Sequence, residues 1–192
     1  MRGRALNYPH KSDIIHMFVI EPKTIEREVN DMRYVHEYDS PLGRLTLASD
    51  GQALTGLWFE GQRFFAAGLS PEPDAADLEV FDAAARWLDI YFSGREPDFT
   101  LPLAPAGTPF RMAVWALLRE IPYGETITYG QLARRLPRGA ARAVGEAAAR
   151  NPISILIPCH RLLGADGSLT GYAGGVERKR ALLRLEGNAD IQ

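Results

Sequence analysis

The sequence predicts an α/β fold: a small antiparallel sheet with one helix in the first half of the chain, then a mostly helical second half with a helix-turn-helix. The first half holds short β-like segments joined by glycine-containing turns, followed by one apolar stripe of helical period. The second half holds two short helices about a tight turn. We therefore expect three parts: a poorly ordered extension over residues 1–32, an α/β domain over 33–103 and a second domain over 104–192.

The predicted sheet has three strands, over residues 34–38, 45–48 and 54–59. Asp50-Gly51 separates the last two and predicts a hairpin, since Gly accepts the positive φ that tight turns need. Residues 75–92 predict the helix, because their apolar side chains recur three and four positions apart. Residues 98–103 are expected to add one more strand.

Four helices are predicted in the second half, over residues 110–121, 128–136, 140–150 and 176–186. Thr108-Pro109 supplies the first with an N-cap and a proline in its first turn. Thr128 and Gln131 form a capping box for the second. The second and third helices meet about the turn at residues 137–139, which favours a helix-turn-helix. Gly187 is placed to cap the last helix.

Composition bounds the class of protein and its setting. Hydrophobic residues make up 46% of the chain and charged residues 24%, which is ordinary for a soluble globular protein. The apolar segment over residues 14–20 is too short to span a membrane and lacks a cleavage site, so we expect a cytoplasmic protein without a membrane partner. The single cysteine excludes an internal disulfide and every zinc site with two or more thiolate ligands.

Charge is divided unevenly between the two halves. Residues 1–103 carry 10 Lys and Arg against 17 Asp and Glu, a net of −7, whereas residues 104–192 carry 12 against 7, a net of +5. Five arginines lie from Arg134 to Arg150, with Glu146 as the one acidic residue among them. This pattern indicates a polyanion partner, and a solvated basic helix face is the alternative.

The segment IPCHRLLGADGSLTGYAGG, residues 157–175, contains the only cysteine, Cys159. A thiol with an ordinary pKa of about 8.5 is mostly protonated near neutrality, whereas the thiolate is the nucleophile. His160 is the neighbouring base, although a water or a bend must bridge two successive side chains. A carboxylate behind the histidine would fix its tautomer, and Glu186 is one candidate among several. An inert core cysteine is the competing interpretation.

Three segments together resemble one protein family. IPCHRLLGADGSLTGYAGG, RAVGEAAARNPISI and IPYGETITYGQLA are similar to the O6-alkylguanine-DNA alkyltransferases, which repair alkylated guanine by accepting the alkyl group on a cysteine. The resemblance implies a ribonuclease H-like N-terminal domain and a winged-helix-like C-terminal domain. It also implies one irreversible alkyl transfer per molecule, a duplex DNA partner containing O6-alkylguanine, a monomeric protein, and no cofactor or metal.

The resemblance assigns the chemistry to five positions. Cys159 matches the alkyl acceptor, His160 the histidine that deprotonates it through water, and Glu186 the partner of that histidine. Asn151 matches the asparagine that holds the active-site turn, and Tyr129 the tyrosine that donates to guanine N3.

DNA contacts and a base pocket are assigned in the same way. Arg142 matches the arginine finger that enters the duplex in place of the extruded base. The DNA-binding residues implied by the resemblance are Arg142, Ala143, Gly145, Tyr129 and Arg150. The implied pocket residues are Tyr172, Ala173, Leu162 and Asn151.

The resemblance places the helix-turn-helix in the DNA minor groove, and the residues agree with that docking. Alanine and glycine dominate residues 140–149, so this helix has little bulk to enter a narrow groove and few groups to read base edges. We expect binding through phosphate contacts and DNA deformation, with little sequence preference. Glu146 departs from this pattern, because it places a carboxylate on the same helix.

Two other functions stay open beside alkyl transfer. An alkyltransferase-like damage binder shares the fold but replaces the acceptor cysteine, so Cys159 argues against it. A cysteine hydrolase using Cys159, His160 and Glu186 would turn over, whereas a thioether has no obvious chemical exit. The substrate alternatives are methyl or bulkier adducts, on guanine O6 or on thymine O4.

Overall fold

The computed structural model describes residues 32–137 and 139–189. The predicted N-terminal extension lies outside the described residues, apart from Met32 at the start of the first strand. No helix in the described part of the chain is long and apolar enough to cross a lipid bilayer. The predicted α/β fold class is confirmed, with the sheet in the first half and most of the helices in the second.

Four strands form one sheet in the N-terminal part, which we define as residues 32–103. They are β1 (Met32–Ser40), β2 (Gly43–Ser49), β3 (Leu54–Phe59) and β4 (Leu69–Ala75), in the spatial order β3-β2-β1-β4. The β1–β2 and β2–β3 pairs are antiparallel, as predicted, and Gly51 has a φ of 99° in the turn before β3. Because β4 is parallel to β1, the sheet is mixed and not purely antiparallel.

Two predictions for the N-terminal part are wrong. Residues 69–75 form β4, so helix α1 (Glu79–Phe92) begins four residues later than predicted. This strand was not predicted because its sequence, LSPEPDA, contains two prolines, which normally argue against a strand. Prolines are tolerated on edge strands, and β4 is at the edge of the sheet. The strand expected over residues 98–103 is reduced to a single bridge between Leu103 and Leu54.

The described residues of the second half form four α-helices and a two-stranded parallel ladder. The helices are α2 (Pro109–Arg119), α3 (Tyr129–Arg134), α4 (Ala141–Ala149) and α5 (Val176–Leu185). The ladder pairs β5 (Ile127–Thr128) with β6 (Leu162–Leu163). The helix-turn-helix is α3 and α4, and the indole of Trp115 on α2 donates to the carbonyl of Ala147 on α4, at 2.8 Å.

Helix ends follow the predicted capping residues. The Thr108 hydroxyl accepts from the Arg111 amide, and both hydrogen bonds of the Thr128–Gln131 capping box are formed. Gly187 follows α5 with a φ of 94°, a conformation that side chains rarely adopt. Each helix nevertheless ends one or two residues before its predicted end, except α1, which ends at Phe92 as predicted.

One continuous apolar core joins the two halves of the chain. It packs buried side chains of β2, β3 and α1 against those of α2, α3 and α5, including Leu47, Leu57, Phe81, Leu88, Val114, Leu118, Leu132 and Leu182. The outer edge of β3 also binds the segment that leads to Cys159. There the Leu57 amide donates to the Pro152 carbonyl, and the Ser154 amide donates to the Leu57 carbonyl, both at 2.8 Å. The sheet therefore holds in place the backbone at Pro152 and Ser154, in the segment that leads to Cys159.

Candidate active site

Asn151 holds the turn that presents the cysteine. Its side-chain amide donates to the Ile157 carbonyl at 2.7 Å and to the Cys159 sulfur at 3.2 Å, while its oxygen accepts from the Ile153 amide at 3.0 Å. Ile155, inside this turn, has a φ of 69°, which is strained for a β-branched residue. A 3-10 turn, Cys159–Arg161, follows Pro158. Ile153, Ile155 and Ile157 are buried in this segment, and their packing and these hydrogen bonds keep a strained turn in place.

Cys159 is buried, with 5% of the residue exposed. Burial raises its pKa, whereas the hydrogen bond from Asn151 and the positive charge of Lys179 act in the opposite direction. At neutral pH the resting side chain is therefore the thiol. A proton acceptor is needed before the sulfur can act as a nucleophile.

His160 follows Cys159 in the chain and has the charge state that a proton acceptor needs. Its Nε2 lies 2.8 Å from Oε1 of Glu186, and both side chains are completely buried. Burial lowers the pKa of His160, although Glu186 opposes the shift, so the imidazole is neutral at neutral pH. With Nε2–H donated to the carboxylate, Nδ1 is the basic atom, and it has no hydrogen-bond partner in the described part of the chain.

Glu186 stays ionised although it is buried. Burial alone would raise its pKa, but hydrogen bonds from His160 and Arg161 and the positive charge of Arg161 lower it to about 2. The Arg161 guanidinium donates to both carboxylate oxygens at 2.9 Å, and the Tyr91 hydroxyl donates to Oε1 at 2.7 Å. Sequence reasoning missed Arg161 and Tyr91. Arg161 was visible in the Cys-His-Arg motif, whereas Tyr91 stood on an apolar helix face with no local sign of a polar role.

Lys179 is a second buried cation near the thiol, and sequence reasoning missed it too. Its ammonium donates to the Leu162 carbonyl and, at 2.7 Å, to the Thr170 carbonyl. Burial lowers its pKa to about 8, an effect that Cys159 opposes. The ammonium also lies 5.7 Å from the centre of the Tyr129 ring. Lys179 thus ties α5 to the β6 segment and places positive charge near the sulfur.

A cavity of about 540 Å³ opens beside these residues. Its walls come from both halves of the chain: Arg63, Phe64, Tyr129, Gly130, Ala141, Gly145, Glu146, Ala149, Ala165, Thr170, Gly171, Tyr172 and Ala173. Two of the predicted pocket residues, Tyr172 and Ala173, therefore line it. The other two do not: Leu162 is buried in β6, and Asn151 lies in the turn behind the sulfur.

Two of the residues that line the cavity, Tyr129 and Tyr172, also lie near the Cys159 sulfur. Burial raises the pKa of Tyr129 to about 12, and the nearby Cys159 adds to the shift. Burial raises the pKa of Tyr172 well above its ordinary value, and Cys159 again contributes. Both phenols are therefore neutral donors at neutral pH. The Tyr129 hydroxyl lies 2.9 Å from the Gly171 carbonyl and 3.1 Å from that of Thr170.

The predicted DNA-binding residues on and next to α4 differ in how exposed they are. Arg142 and Ala143 are exposed near its start, and Gly145 faces the Tyr129 ring. Ala147 and Ala148 are buried in the core, so only part of the alanine run is a bare outer surface. Arg150 is turned towards the protein: it pairs with Glu146 at 3.3 Å, and its guanidinium lies 4.4 Å from the centre of the Phe64 ring.

The loop after β3 closes one side of the cavity. Phe64 has a φ of 61°, unusual for a bulky residue, and its ring lies near the guanidinium groups of Arg63 and Arg150. The Arg63 amide donates to the Ala173 carbonyl at 2.9 Å. This loop was not predicted to belong to the site, because its contacts come from the tertiary fold.

Each half of the chain matches one domain of a known protein family. The family described as 6-O-methylguanine DNA methyltransferase, ribonuclease-like domain, matches residues 33–105. The family described as 6-O-methylguanine DNA methyltransferase, DNA binding domain, matches residues 109–188.

Individual relatives agree over most of the chain. The methylated-DNA–protein-cysteine methyltransferase of Haemophilus influenzae is 47% identical over 159 residues, covering 80% of this chain and 86% of that protein. The protein of the same name from Methanosarcina acetivorans is 45% identical over 158 residues, covering 81% and 99%. The crystal structure of Mycobacterium tuberculosis OGT in complex with DNA matches 82% of this chain and 94% of that one, with a TM-score of 0.71 and 45% identity.

Proposed function

Since this chain belongs to the 6-O-methylguanine DNA methyltransferase family, we propose that it repairs DNA by moving the alkyl group of O6-alkylguanine onto its own Cys159. The observation that carries this proposal is the setting of the sulfur. A buried thiol held by Asn151 lies next to a neutral, buried His160 whose Nε2 is committed to Glu186. Such an arrangement can generate a thiolate when needed and protect it from solvent at other times.

Proton removal is the first step of the proposed mechanism. The thiol proton passes through a bridging water to Nδ1 of His160, which becomes an imidazolium while Nε2–H stays on Glu186. Glu186 and Arg161 form a fixed ion pair, so the carboxylate stabilises the imidazolium without taking the proton itself. Lys179 lowers the cost of the thiolate through its positive charge.

Alkyl transfer then follows as a displacement at carbon. The sulfur forms a bond to the alkyl carbon, the bond from that carbon to guanine O6 breaks, and the electron pair stays on the purine. Tyr129 donates to guanine N3 as negative charge builds there. In the resting structure its hydroxyl lies against two backbone carbonyls, so it has to turn from them to the base. The product is a thioether, which makes the protein single-turnover.

DNA recognition is proposed to rest on α4. Reaching a stacked guanine requires flipping it from the duplex at a cost of a few kcal/mol. We infer that α4 enters the minor groove, that Arg142 fills the gap left by the base, and that the cavity beside Tyr172 and Ala173 receives it. Binding as a monomer with little sequence preference completes the proposal, together with a cytoplasmic location.

A cysteine hydrolase would use the same three residues, so a turnover measurement separates the two functions. With duplex containing O6-methylguanine in tenfold excess, we expect the number of lesions repaired to stop at one per protein molecule. Cys159→Ala should repair none while its affinity for the duplex stays close to that of the wild type. Repair that continues past one lesion per molecule would support the hydrolase and contradict the proposal.

A further inference from the structure

Tyr91 belongs to the N-terminal part of the chain yet reaches the centre of the proposed proton relay. It lies one residue from the end of α1, and its side chain is completely buried. Its hydroxyl donates to Oε1 of Glu186 at 2.7 Å and lies 3.4 Å from Nε2 of His160. Three donors therefore converge on this one oxygen: the phenol, the imidazole and the Nη2 atom of Arg161.

The ring of Tyr91 is fixed by its neighbours, which makes the hydroxyl a well-placed donor. Trp87 stacks on it with ring centres 5.3 Å apart, while Phe92 and Tyr123 meet it edge-on at 5.5 and 6.0 Å. Burial and the neighbouring carboxylate raise the pKa of Tyr91 well above its ordinary value, so the phenol keeps its proton. A neutral donor in a rigid setting is suited to orienting a carboxylate.

Because three donors share Oε1 of Glu186, each of them affects how strongly this oxygen accepts from His160. Each hydrogen bond donated to a carboxylate makes it a poorer acceptor for the others and stabilises it as an anion. A donor at Oε1 therefore moderates how strongly Glu186 attracts the imidazole proton, and it fixes the direction in which the carboxylate faces the ring. The charged and titratable groups that face this cluster are Arg161, Lys179, Glu186, Tyr123 and Tyr172.

We propose that Tyr91 is a positioning residue for alkyl transfer: its hydroxyl orients Glu186 so that His160 donates through Nε2 and keeps Nδ1 free for the thiol proton. This inference rests on the proposed function and extends it. The N-terminal part of the chain then contributes to the proton relay itself, in addition to packing against the second half.

The test compares pH profiles of the single-turnover transfer rate with O6-methylguanine duplex. Tyr91→Phe keeps the packed ring and removes the donor. We expect the acid limb of its profile to move to higher pH by about half a unit or more, because Glu186 then stabilises the imidazolium more strongly. We also expect the plateau rate to fall about threefold to tenfold, because Glu186 loses one of the contacts that orient it.

Tyr38→Phe is the matched control. The Tyr38 hydroxyl, on β1, donates to the carboxylate of Asp89 on α1 at 2.7 Å, so the variant loses the same kind of bond at a more exposed place. Neither residue lines the cavity. The Tyr38→Phe profile should match that of the wild type. A Tyr91→Phe profile that also matches the wild type in both acid limb and plateau would overturn the proposal.

A second variant covers the case in which Tyr91→Phe fails to fold. Site-specific 3-fluorotyrosine at position 91 keeps the hydroxyl and makes it a stronger donor, so the acid limb should move to lower pH, opposite to Tyr91→Phe. An unchanged acid limb would overturn the positioning role. Failure of the wild-type protein to accept a methyl group would instead refute the proposed function, so the two failures are distinguishable.

Discussion

Replacing Glu186 by Gln should destabilise the protein by an amount that depends on pH. The pKa of this carboxyl is lowered from the ordinary 4.5 to about 2, which corresponds to about 3 kcal/mol of stability at neutral pH. The source is the set of hydrogen bonds that the buried carboxylate accepts, first from His160 and then from Arg161. Gln keeps the size of the side chain but leaves that guanidinium without its counter-charge.

The sign of the pH dependence follows from the direction of the shift. Because the pKa is lower in the folded protein than in the unfolded chain, the stabilisation is complete above about pH 5. It is lost as pH falls from 4.5 towards 2, and about three-fifths of it should be gone at pH 3. The gap in unfolding free energy between wild type and Glu186→Gln should therefore narrow over that range.

Urea unfolding followed by circular dichroism at pH 7, 5, 4 and 3 measures this gap. Glu177→Gln, in the first turn of α5, is the control, since Glu177 pairs with Arg180 on the surface and its loss should change stability little at any pH. A gap below about 1 kcal/mol at pH 7, or one of equal size at pH 7 and pH 3, would refute the reasoning. The same variant should slow alkyl transfer by a factor on the order of 10², since His160 loses its partner.

The remaining predictions concern helix α4 and its proposed contact with DNA. Arg142→Ala should slow repair of duplex far more than reaction with free O6-benzylguanine, which needs no base flipping, and saturating DNA should not restore the rate. Full recovery at saturating duplex would show that Arg142 is only a phosphate contact. Glu146→Gln should tighten DNA binding modestly on two unrelated duplexes, because it frees Arg150 and removes a carboxylate from the helix proposed to face DNA. Fluorescence anisotropy across salt concentrations checks this, and unchanged or weaker binding contradicts it.

Much of the second half was predictable because its signals are local. The Thr108 and Thr128 caps and the Gly187 terminator each act within a few residues of the chain. The pairing of His160 with Glu186 was indicated by the resemblance to a known family, since the residues alone left several carboxylates open. In the structure those two side chains are 2.8 Å apart.

The features that could not be predicted depend on contacts between residues distant in sequence. Tyr91 is one example, because its apolar helix position gives no sign of the carboxylate 95 residues away. Lys179 is another: the charged sequence VERKR is typical of a solvated helix face, yet this ammonium is buried against two carbonyls. Strand β4 was missed because edge pairing tolerates the prolines that normally argue against a strand.

The central claim, that Cys159 is the acceptor of a single alkyl group, is tested most directly by intact-mass measurement. After incubation with excess duplex containing O6-methylguanine, the wild-type mass should rise by about 14 Da, and fragmentation should place the added methyl on Cys159. Cys159→Ala under the same conditions should keep its original mass. An unchanged wild-type mass after the lesion has been repaired, or a methyl group on any other residue, would contradict the account.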